Sequence, residues 1–484
     1  MPPTSSSPSL ASILIARFLR TNSYTETLEA FIREAGLPRD VGQTSDKEPN
    51  WTIEGILQEK KTFDQSVNFE RYGKDEKNKD VWSEPAPSKP SIIQTPSSSN
   101  LLAASVEQWK QPRDDEDQDA SSYIIATGAD RQLHVFQTTE GNGRVASFMG
   151  LSDSPILSFA SFRNGRYVLM SNMSGNLLLQ RGADILDRRK DHAKYAVKVC
   201  VHESEAESGK LWVATAGWDS KVFVYSVSVP EEGGEVSDVK IGEPVACIEL
   251  STLPESMLFV RYGDTGELVL IVSRRDSTYL YYYGIESPPS ASSTSTMPSV
   301  GKLIGKQNLA PHSNAWVAFS PSCLALSPHD PALLAVATST LPHMKVIIVR
   351  LLFPSADTLD LDPGKTAATV EPVTHASQAL ASLSLQNRED AAIFIQANTF
   401  APQTAYSTPQ VVWRPDGSGV WVNGDDGVIR GIETRTGKVV SLLKDGHVVG
   451  CKVRTIWAGW VGDNGNEEWV VSGGFDKRLI VWRV

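Results

Sequence analysis

The sequence predicts a mainly β protein in which seven repeated units follow a short α-helical hairpin. Apolar residues recur at helical spacing near the amino terminus. Beyond residue 100, short β-branched and aromatic runs alternate with Gly, Asp, Ser and Pro, a pattern typical of strands and turns. Related segments recur in that region, and their first turns, at residues 130, 174 and 219, are 44 and 45 residues apart. A repeat of this period indicates an array of similar β units.

Composition limits the class of protein. The 484 residues include 57 acidic and 46 basic side chains, a formal net charge of −11, and 40% of them are hydrophobic. The acidic excess argues against direct nucleic-acid binding, which requires a basic face. No apolar run reaches the roughly 18 residues of a membrane span, and the first residues lack the basic region of a signal peptide. We therefore expect a cytoplasmic or nuclear protein, or one found in both compartments.

Residues 8–37 have the pattern of a helical hairpin, with a break in the apolar periodicity at residues 21–23. Ser23 and Glu26 have the spacing of a capping box at the start of the second helix. Gly36, which is followed by Leu and Pro, predicts the end of that helix.

This hairpin resembles the LisH motif. That family has an aliphatic pair, an aromatic–leucine pair, and then Tyr, Thr, a small residue, Phe and Glu at fixed steps. The matching strings are Leu14-Ile15-Ala16-Arg17-Phe18-Leu19 and Tyr24-Thr25-Glu26-Thr27-Leu28-Glu29-Ala30-Phe31-Ile32-Arg33-Glu34. Leu28 stands where the family usually has alanine.

LisH segments typically homodimerise through a four-helix arrangement, so the resemblance implies a homodimer. A need for a partner surface also follows from helix length, because isolated helices shorter than about 12–15 residues are marginal in water. The implied dimerisation residues are Leu14, Ile15, Phe18, Leu19, Tyr24, Leu28 and Phe31. The alternative is that the hairpin docks on the larger domain of its own chain.

Two further segments precede the repeats. Residues 51–72 have apolar side chains on one side and charges elsewhere, which predicts a helix that either extends the dimer as a short coiled coil or packs on the hairpin. Residues 73–90 are rich in Lys, Glu, Pro and Ser and are interpreted as a linker.

Three segments define the repeat. Each has small residues, a turn aspartate, alternating apolar residues and an aromatic residue six positions after the aspartate, which together are a β-hairpin signal. The aspartate–aromatic pairs are Asp130 with Phe136, Asp219 with Tyr225, and Asp476 with Trp482. Fainter copies centred on residues 174, 276, 343 and 426 complete seven units, and loops such as 287–300 and 353–389 stretch the later intervals.

These repeats resemble the WD40 family, whose fold is a β-propeller of four-stranded blades. The resemblance therefore implies a seven-bladed propeller over residues 91–484. In the last repeat His447, Ser472, Asp476 and Trp482 match the family's hydrogen-bonded tetrad, which holds the turns of a blade in place. The Ser, His and Asp residues could suggest a catalytic triad, but their positions in the repeat favour the structural role.

Closure of the ring requires a strand from upstream of the first repeat. Residue 484 follows the third strand of the seventh unit, and an open sheet edge would expose unpaired backbone groups. Residues 91–95 are the one short β-like run in the linker and are predicted to supply the missing fourth strand.

No catalytic or metal-binding pattern stands out in the sequence. The Gly-Lys-Thr string at residues 364–366 lacks the upstream glycine of a phosphate-binding loop, because Leu359 stands there. The four cysteines lie far apart, in strand-like runs, and the histidines have no metal-ligand spacing. We predict buried, reduced cysteines, no metal, no cofactor and no enzymatic activity.

In the propeller geometry that the resemblance implies, the residues just before the turn aspartates surround one end of the central channel. Aromatic and arginine side chains dominate the energetics of protein interfaces, so an exposed aromatic residue at such a turn favours partner binding. The candidates are Trp218, Arg275, Asp425 and Phe475, with Ala129, Met173 and Pro342 at the corresponding turns. The alternative is that the two aromatic rings fold onto neighbouring loops.

This organisation favours a non-enzymatic scaffold that binds other proteins of a multi-subunit complex, without nucleic-acid or membrane binding. An alternative is a substrate receptor or subunit of a ubiquitin ligase. However, the strings at residues 218–221 and 475–478 each miss the Trp-Asp-x-Arg pattern of cullin-class receptors by one residue. A third hypothesis is a hydrolase that uses the channel, for which no nucleophile is apparent.

Overall fold

The computed structural model of the chain describes residues 10–43, 52–54, 82, 85–109, 121–204, 209–229, 239–262, 266–286, 300–312, 319–353, 375–461 and 467–484. The chain divides into two compact units, Met1–Lys77 and Asn78–Val484. The helix predicted over 51–72 lies outside the described residues except at 52–54. None of the described helices is long and apolar enough to cross a membrane.

The first unit contains helices α1 (Leu10–Thr21) and α2 (Thr25–Glu34). The cap residue of α2 is Tyr24, which makes no side-chain cap. Ser23 has a φ of +59°, in the left-handed region, because it forms the tight turn between the helices. The predicted capping box of Ser23 with Glu26 is therefore wrong, since a capping residue has an extended backbone.

The end of α2 agrees with its sequence signal. Gly36 has a φ of +61°, and the N–H of Leu37 donates to the carbonyl of Ile32 at 3.0 Å. This is the long bond of a Schellman motif, in which a glycine takes the left-handed position that a side chain disfavours.

A small core joins the two helices to the segment that follows them. Ala16 of α1, Leu28 of α2 and Val41 are buried together. Gly42 has a φ of +77°, and a Cβ there would lie 2.6 Å from a backbone nitrogen of α1. The segment thus passes too close to α1 for any side chain at that position, and it covers one side of the hairpin.

The second unit is a seven-bladed β-propeller of four-stranded antiparallel sheets. Blades 1 to 3 contain β2 (Leu101–Trp109), β3 (Ser121–Gly128), β4 (Leu133–Gln137), β5 (Arg144–Phe148); β6 (Ile156–Phe162), β7 (Tyr167–Asn172), β8 (Leu177–Arg181), β9 (Asp184–Arg189); and β10 (Ala196–Glu203), β11 (Lys210–Gly217), β12 (Lys221–Ser228), β13 (Ala246–Glu249). Blades 4 and 5 contain β14 (Pro254–Arg261), β15 (Leu268–Arg274), β16 (Tyr279–Glu286), β17 (Leu303–Asn308); and β18 (Pro321–Leu326), β19 (Leu333–Thr338), β20 (His343–Arg350), β21 (Ile393–Pro402). Blades 6 and 7 contain β22 (Val411–Trp413), β23 (Gly419–Val422), β24 (Ile429–Glu433), β25 (Val439–Leu443); and β26 (Val453–Val461), β27 (Glu467–Gly474), β28 (Leu479–Arg483), with β1 (Lys89–Ile93) as the fourth strand of blade 7.

Burial explains the strand sequences. The second strand of a blade lies between neighbouring blades and is apolar on both faces, so that every residue of β7 is buried. The first strand faces the channel on one side, and β6 accordingly mixes buried and half-buried residues. Within the described residues, one buried apolar cluster lies between each pair of adjacent blades. These interfaces are the core of the ring.

Strand β1 closes the ring by pairing antiparallel with β28, from Lys89 opposite Arg483 to Ile93 opposite Leu479. It begins and ends two residues before the predicted 91–95 segment. Its earlier start includes Pro90, which is tolerated in the outermost strand because its missing N–H breaks no ladder there.

The predicted linker over 73–90 also supplies a core residue. Trp82 is buried and packs edge-to-face on Trp421, with the ring centroids 4.8 Å apart. Two glycines of blade 6 make room for it: a Cβ on Gly419 would lie 2.6 Å from Cζ2 of Trp82, and one on Gly431 would lie closer still. The linker interpretation is therefore wrong at this position, since a single tryptophan anchors the segment without any periodicity to reveal it.

Arg414 connects this anchor to blade 7. Its guanidinium carbon lies 4.3 Å from the ring centroid of Trp82, and Nη2 donates to the Pro85 carbonyl at 3.2 Å. The same nitrogen forms an ion pair with Glu468 at 2.6 Å, and both charged side chains are almost fully buried. Loss of either partner would leave an uncompensated buried charge.

One predicted loop contains a helix. Helix α3 (His375–Ala391) occupies the later part of the 353–389 segment and leads into β21. Glu389 at its end is buried, and its carboxylate accepts the N–H of Asn308 at 2.8 Å. Burial raises the pKa of Glu389, and this backbone hydrogen bond offsets part of the rise.

Candidate functional site

Turns and blade connections meet at one end of the propeller, which we call the turn face. In six blades the residue after the second strand donates its N–H to the carbonyl just before the first strand, at 2.8–3.0 Å. The six donors are Ala129, Met173, Trp218, Arg275, Ser339 and Phe475. In blade 5 the corresponding residue is Ser339 and not the predicted Pro342, because the turn spans residues 339–342 and His343 already begins β20.

Among the described residues, more large apolar side chains are exposed on the turn face than at the opposite end of the channel. Trp218 and Phe475 are 42% and 43% exposed, and Trp218 packs against Tyr195 with ring centroids 5.1 Å apart. The large apolar residues exposed on this face are Met149, Tyr195, Trp218, Leu341, Phe400, Tyr406, Val448, Val449 and Phe475. Those exposed at the opposite end, among the described residues, are Val245, Leu303, Phe394, Trp460 and Val484. Contiguous exposed apolar surface marks interaction sites, and the contact between Trp218 and Tyr195 is a candidate centre for one on this face.

The structure places the other two predicted interface residues in different settings. Arg275 lines the mouth of the channel next to Trp218, with Nε 2.7 Å from the Glu255 carboxylate. Asp425 is only 13% exposed and pairs with Lys452 at 3.0 Å. Its carboxylate also accepts a hydrogen bond from Ser407 at 2.6 Å. Asp425 therefore holds the loop before blade 6 in place rather than facing a partner.

The channel behind this mouth contains a cavity of about 380 Å³. Six of the first strands have a β-bulge at their second residue, and each bulged residue lines the cavity. The bulged residues are Leu102, Leu157, Val197, Glu255, Ser322 and Arg454. A bulge re-aims one side chain per strand, so this ring determines the chemistry of the channel.

Burial disfavours the charged forms of two carboxyl groups in the channel. Burial raises the pKa of Glu255, and the Arg275 guanidinium offsets only part of that rise. Burial also raises the pKa of Glu107, deeper in the channel, although Ser161 and Ser105 both donate hydrogen bonds to it.

The tetrad of blade 7 is a structural hydrogen-bond chain. Trp482 Nε1 donates to Ser472 Oγ at 2.8 Å, and this oxygen lies 2.9 Å from His447 Nε2. Nδ1 of the same imidazole lies 3.0 Å from the Asp476 carboxylate, which also accepts the N–H of Val448 at 2.9 Å. Ser472 has no exposed surface, so a substrate cannot reach it.

Sequence reasoning missed a second chain of this type in blade 3. His192 Nε2 lies 2.9 Å from Thr215 Oγ1, and Nδ1 lies 3.0 Å from the Asp219 carboxylate. Tyr225 takes the place of the tryptophan, and its hydroxyl donates to Asp191 at 2.9 Å. Thr215, Asp219 and Tyr225 have the same sequence spacing as Ser472, Asp476 and Trp482 in blade 7, and this equal spacing could have predicted the second chain.

Blades 1 and 6 hold their turn aspartates in another way. Asp130 pairs with His134 at 2.8 Å, and Asp426 pairs with Arg430 at 2.6 Å. In both blades the partner follows four residues later, on the third strand. The turn carboxylates of blades 1, 3, 6 and 7 thus each have a basic partner that holds the turn in place.

The hairpin residues predicted for dimerisation fall into two groups. Leu28 is buried in the hairpin's own core, and Leu19 and Phe31 pack against it. Ile15 and Tyr24 are 40% and 52% exposed. Leu14 and Phe18 are half-buried, and the Phe18 ring lies 6.3 Å from that of Tyr24. Leu14, Ile15, Phe18 and Tyr24, here called the outer stripe, remain for a partner surface.

Comparison with protein families agrees with both units. A model for a β-propeller domain of the UCP007778 family matches residues 115–483. The chain belongs to the UCP007778 family. The LisH domain of the same family matches residues 11–38, so the predicted order of LisH hairpin and propeller is confirmed. No curated protein matches the chain.

Groups for metal or thiol chemistry are sparse in this member of the UCP007778 family. The described residues contain no group of three or more His, Cys, Asp or Glu side chains that could hold a metal ion. The four cysteines are free, but Cys247 is exposed on the outer strand of blade 3, so the prediction of burial is wrong there. Burial raises the pKa of Cys200 to about 12, which keeps that thiol protonated and unreactive.

Four turn aspartates should make the propeller sensitive to acid. Burial alone would raise their pKa, but the hydrogen bonds and charges of their partners outweigh it and hold the pKa below the ordinary 3.8. A carboxyl with a lower pKa in the folded chain stabilises it above about pH 4, and this stability is lost as the pH falls through the folded pKa. The four are Asp130, Asp219, Asp426 and Asp476.

Melting temperatures between pH 3 and 7 would test this dependence with Asp476→Asn. We expect the variant to melt lower than the original chain at pH 7 and to lose less stability on acidification. Asp184→Asn, at an exposed position on β9, is the control and should follow the original chain. Equal losses on acidification for the original chain and Asp476→Asn would contradict the role given to this carboxylate.

Proposed function

We propose that the chain is a non-enzymatic protein-interaction scaffold that captures partner proteins on the turn face and dimerises through its LisH hairpin. The observation that carries the proposal is the concentration of exposed apolar side chains at one end of the channel, with Trp218 and Arg275 at its mouth. Tryptophan, tyrosine and arginine are the residues that most often dominate binding energy. The buried Ser–His–Asp arrangement offers no accessible nucleophile and supports a non-enzymatic role.

Dimerisation would make the scaffold bivalent. Two turn faces on one dimer convert a second contact into an intramolecular event, which can raise avidity by about 10²–10⁴ when the geometry permits both contacts. The outer stripe of the hairpin supports this part of the proposal, because its apolar residues have no place in the hairpin's own core.

The dimer is tested by Ile15→Glu in the full chain. Ile15 is half-exposed on α1, so the charge should not disturb the hairpin core, but it would be costly in an apolar dimer interface. We expect light scattering over a range of concentrations to show a dimer for the original chain. The variant should dissociate at least about tenfold more readily.

Glu29→Lys, at an exposed position on α2, is the control and should leave the dimer intact. A monomeric original chain at every concentration would refute dimerisation. Capture of partners on the turn face would be unaffected by that result and is tested separately in the Discussion.

A further inference from the structure

Two basic side chains line the channel cavity without an acidic partner. Arg454 is the bulged residue of blade 7, and Lys198 follows the bulged residue of blade 3. Neither side chain makes a hydrogen bond or an ion pair with any of the described residues. By contrast, Arg275 at the mouth of the same cavity is paired with Glu255.

Removing an unpaired charge even partly from water is costly, so an unpaired arginine in the wall of a channel requires an explanation. Arg454 is half-buried, and this burial lowers the pKa of its guanidinium. Three of the other five bulged residues that line the cavity are apolar, namely Leu102, Leu157 and Val197. Low-polarity walls strengthen the attraction of a cation for an entering anion.

Lys198 lines the same cavity as Arg454, from blade 3 rather than from blade 7. Burial raises the pKa of the Cys323 thiol in blade 5, and the Lys198 ammonium opposes that rise. Lys198 thus enters the cavity from blade 3, while Arg454 enters it from blade 7. The overall charge of the chain is −11, so an excess of positive charge in this cavity does not simply follow from composition.

We propose that the channel binds an anionic group, a carboxylate or a phosphate, with Arg454 as its main partner and Lys198 as the second cation. The guanidinium fork suits either group, because it can donate two parallel hydrogen bonds. The group is carried by an acidic peptide segment that crosses the turn face, so this inference rests on the proposed function. Trp218 at the mouth would contact the peptide segment, and an acidic side chain of that segment would enter the cavity.

The test uses the full chain and a peptide library in which each position is fixed in turn as Asp, Glu, phosphoserine, Ala or Lys. We expect one position to prefer the acidic residues by about tenfold or more, since hydrogen bonds to charged groups are the stronger ones. Arg454→Gln should abolish that preference and leave the preferences at other positions unchanged. Arg131→Gln, an exposed arginine at the blade 1 turn and outside the cavity lining, should keep it. An acidic preference that persists in Arg454→Gln would overturn the inference.

A stability measurement separates a ligand-binding role from a structural one. Arg454→Met removes an unpaired, half-buried charge, so the melting temperature of the free protein should stay the same or rise. A clear fall would show that Arg454 supports the fold, which contradicts the inference.

Failure of the inference can be told apart from failure of the proposed function. If peptides bind and Trp218→Ala weakens them, but no position prefers an acid, then the turn face binds peptides and the anion site is wrong. If no peptide binds, the turn-face proposal fails for peptides, and calorimetric titration with inorganic phosphate and with citrate decides the anion site alone. If phosphate or citrate binds and Arg454→Gln abolishes that binding, the ligand is a free small anion. If neither probe binds, the inference is overturned.

Discussion

Replacement of Trp82 with alanine should lower the free energy of unfolding of the propeller by about 3–5 kcal/mol, the usual cost of truncating a buried tryptophan. The ring packs on Trp421 and beneath the guanidinium of Arg414, and it anchors the segment that continues into the closing strand. Urea unfolding followed by circular dichroism would measure the loss. Trp460→Ala is the matched control, because Trp460 is 49% exposed and its removal should cost little.

A double variant tests the packing around Trp82 directly. Gly431→Ala alone should destabilise the propeller, because its Cβ would collide with the Trp82 ring. With Trp82 already replaced by alanine, the same change should cost less, with a coupling of about 1 kcal/mol or more. If the losses in free energy of unfolding are additive, Trp82 does not pack against Gly431 as the structure shows, and this packing is contradicted. A Trp82→Ala protein as stable as the original chain would contradict its role in closing the ring.

The sequence was sufficient for the number and order of the blades, because six of the seven turns repeat an acidic or hydroxyl residue before alternating apolar ones, and the seventh, centred on His343, keeps the apolar alternation. It was also sufficient for the hairpin, where Gly36 ends α2. The closing strand was predicted two residues late, because only the β-like run at 91–95 was visible, whereas the strand also includes Lys89 and Pro90 at a sheet edge. Trp82 was missed because one aromatic residue in a polar run has no period.

The candidate site was less accessible to sequence reasoning. Trp218 and Phe475 were identified because they interrupt a turn pattern. Asp425 lies in a turn of blade 6, whereas its partner Lys452 lies in the connection from blade 6 to blade 7, so only the fold brings the two together. The bulges that turn Arg454 and its counterparts into the channel depend on strand register, which a single sequence does not determine.

The double variant Trp218→Ala/Phe475→Ala should abolish or strongly reduce partner capture. Each ring is half-exposed at the turn face, so its removal leaves the blade interfaces intact and should not lower the melting temperature. Loss of two interface anchors of about 2 kcal/mol each would weaken binding by roughly a thousandfold. The Ile15→Glu variant, which keeps both rings, should weaken capture only through lost avidity.

Affinity purification with mass spectrometry tests the central claim most directly. The proteins compared are the full chain, the Trp218→Ala/Phe475→Ala double variant and the Ile15→Glu variant. Trp460→Ala, at the opposite end of the channel, is the control. We expect a set of partner proteins that is retained by Trp460→Ala, weakened by Ile15→Glu and lost in the double variant. A set that disappears with Ile15→Glu but remains in the double variant would place the binding site on the hairpin and contradict the role assigned to the turn face.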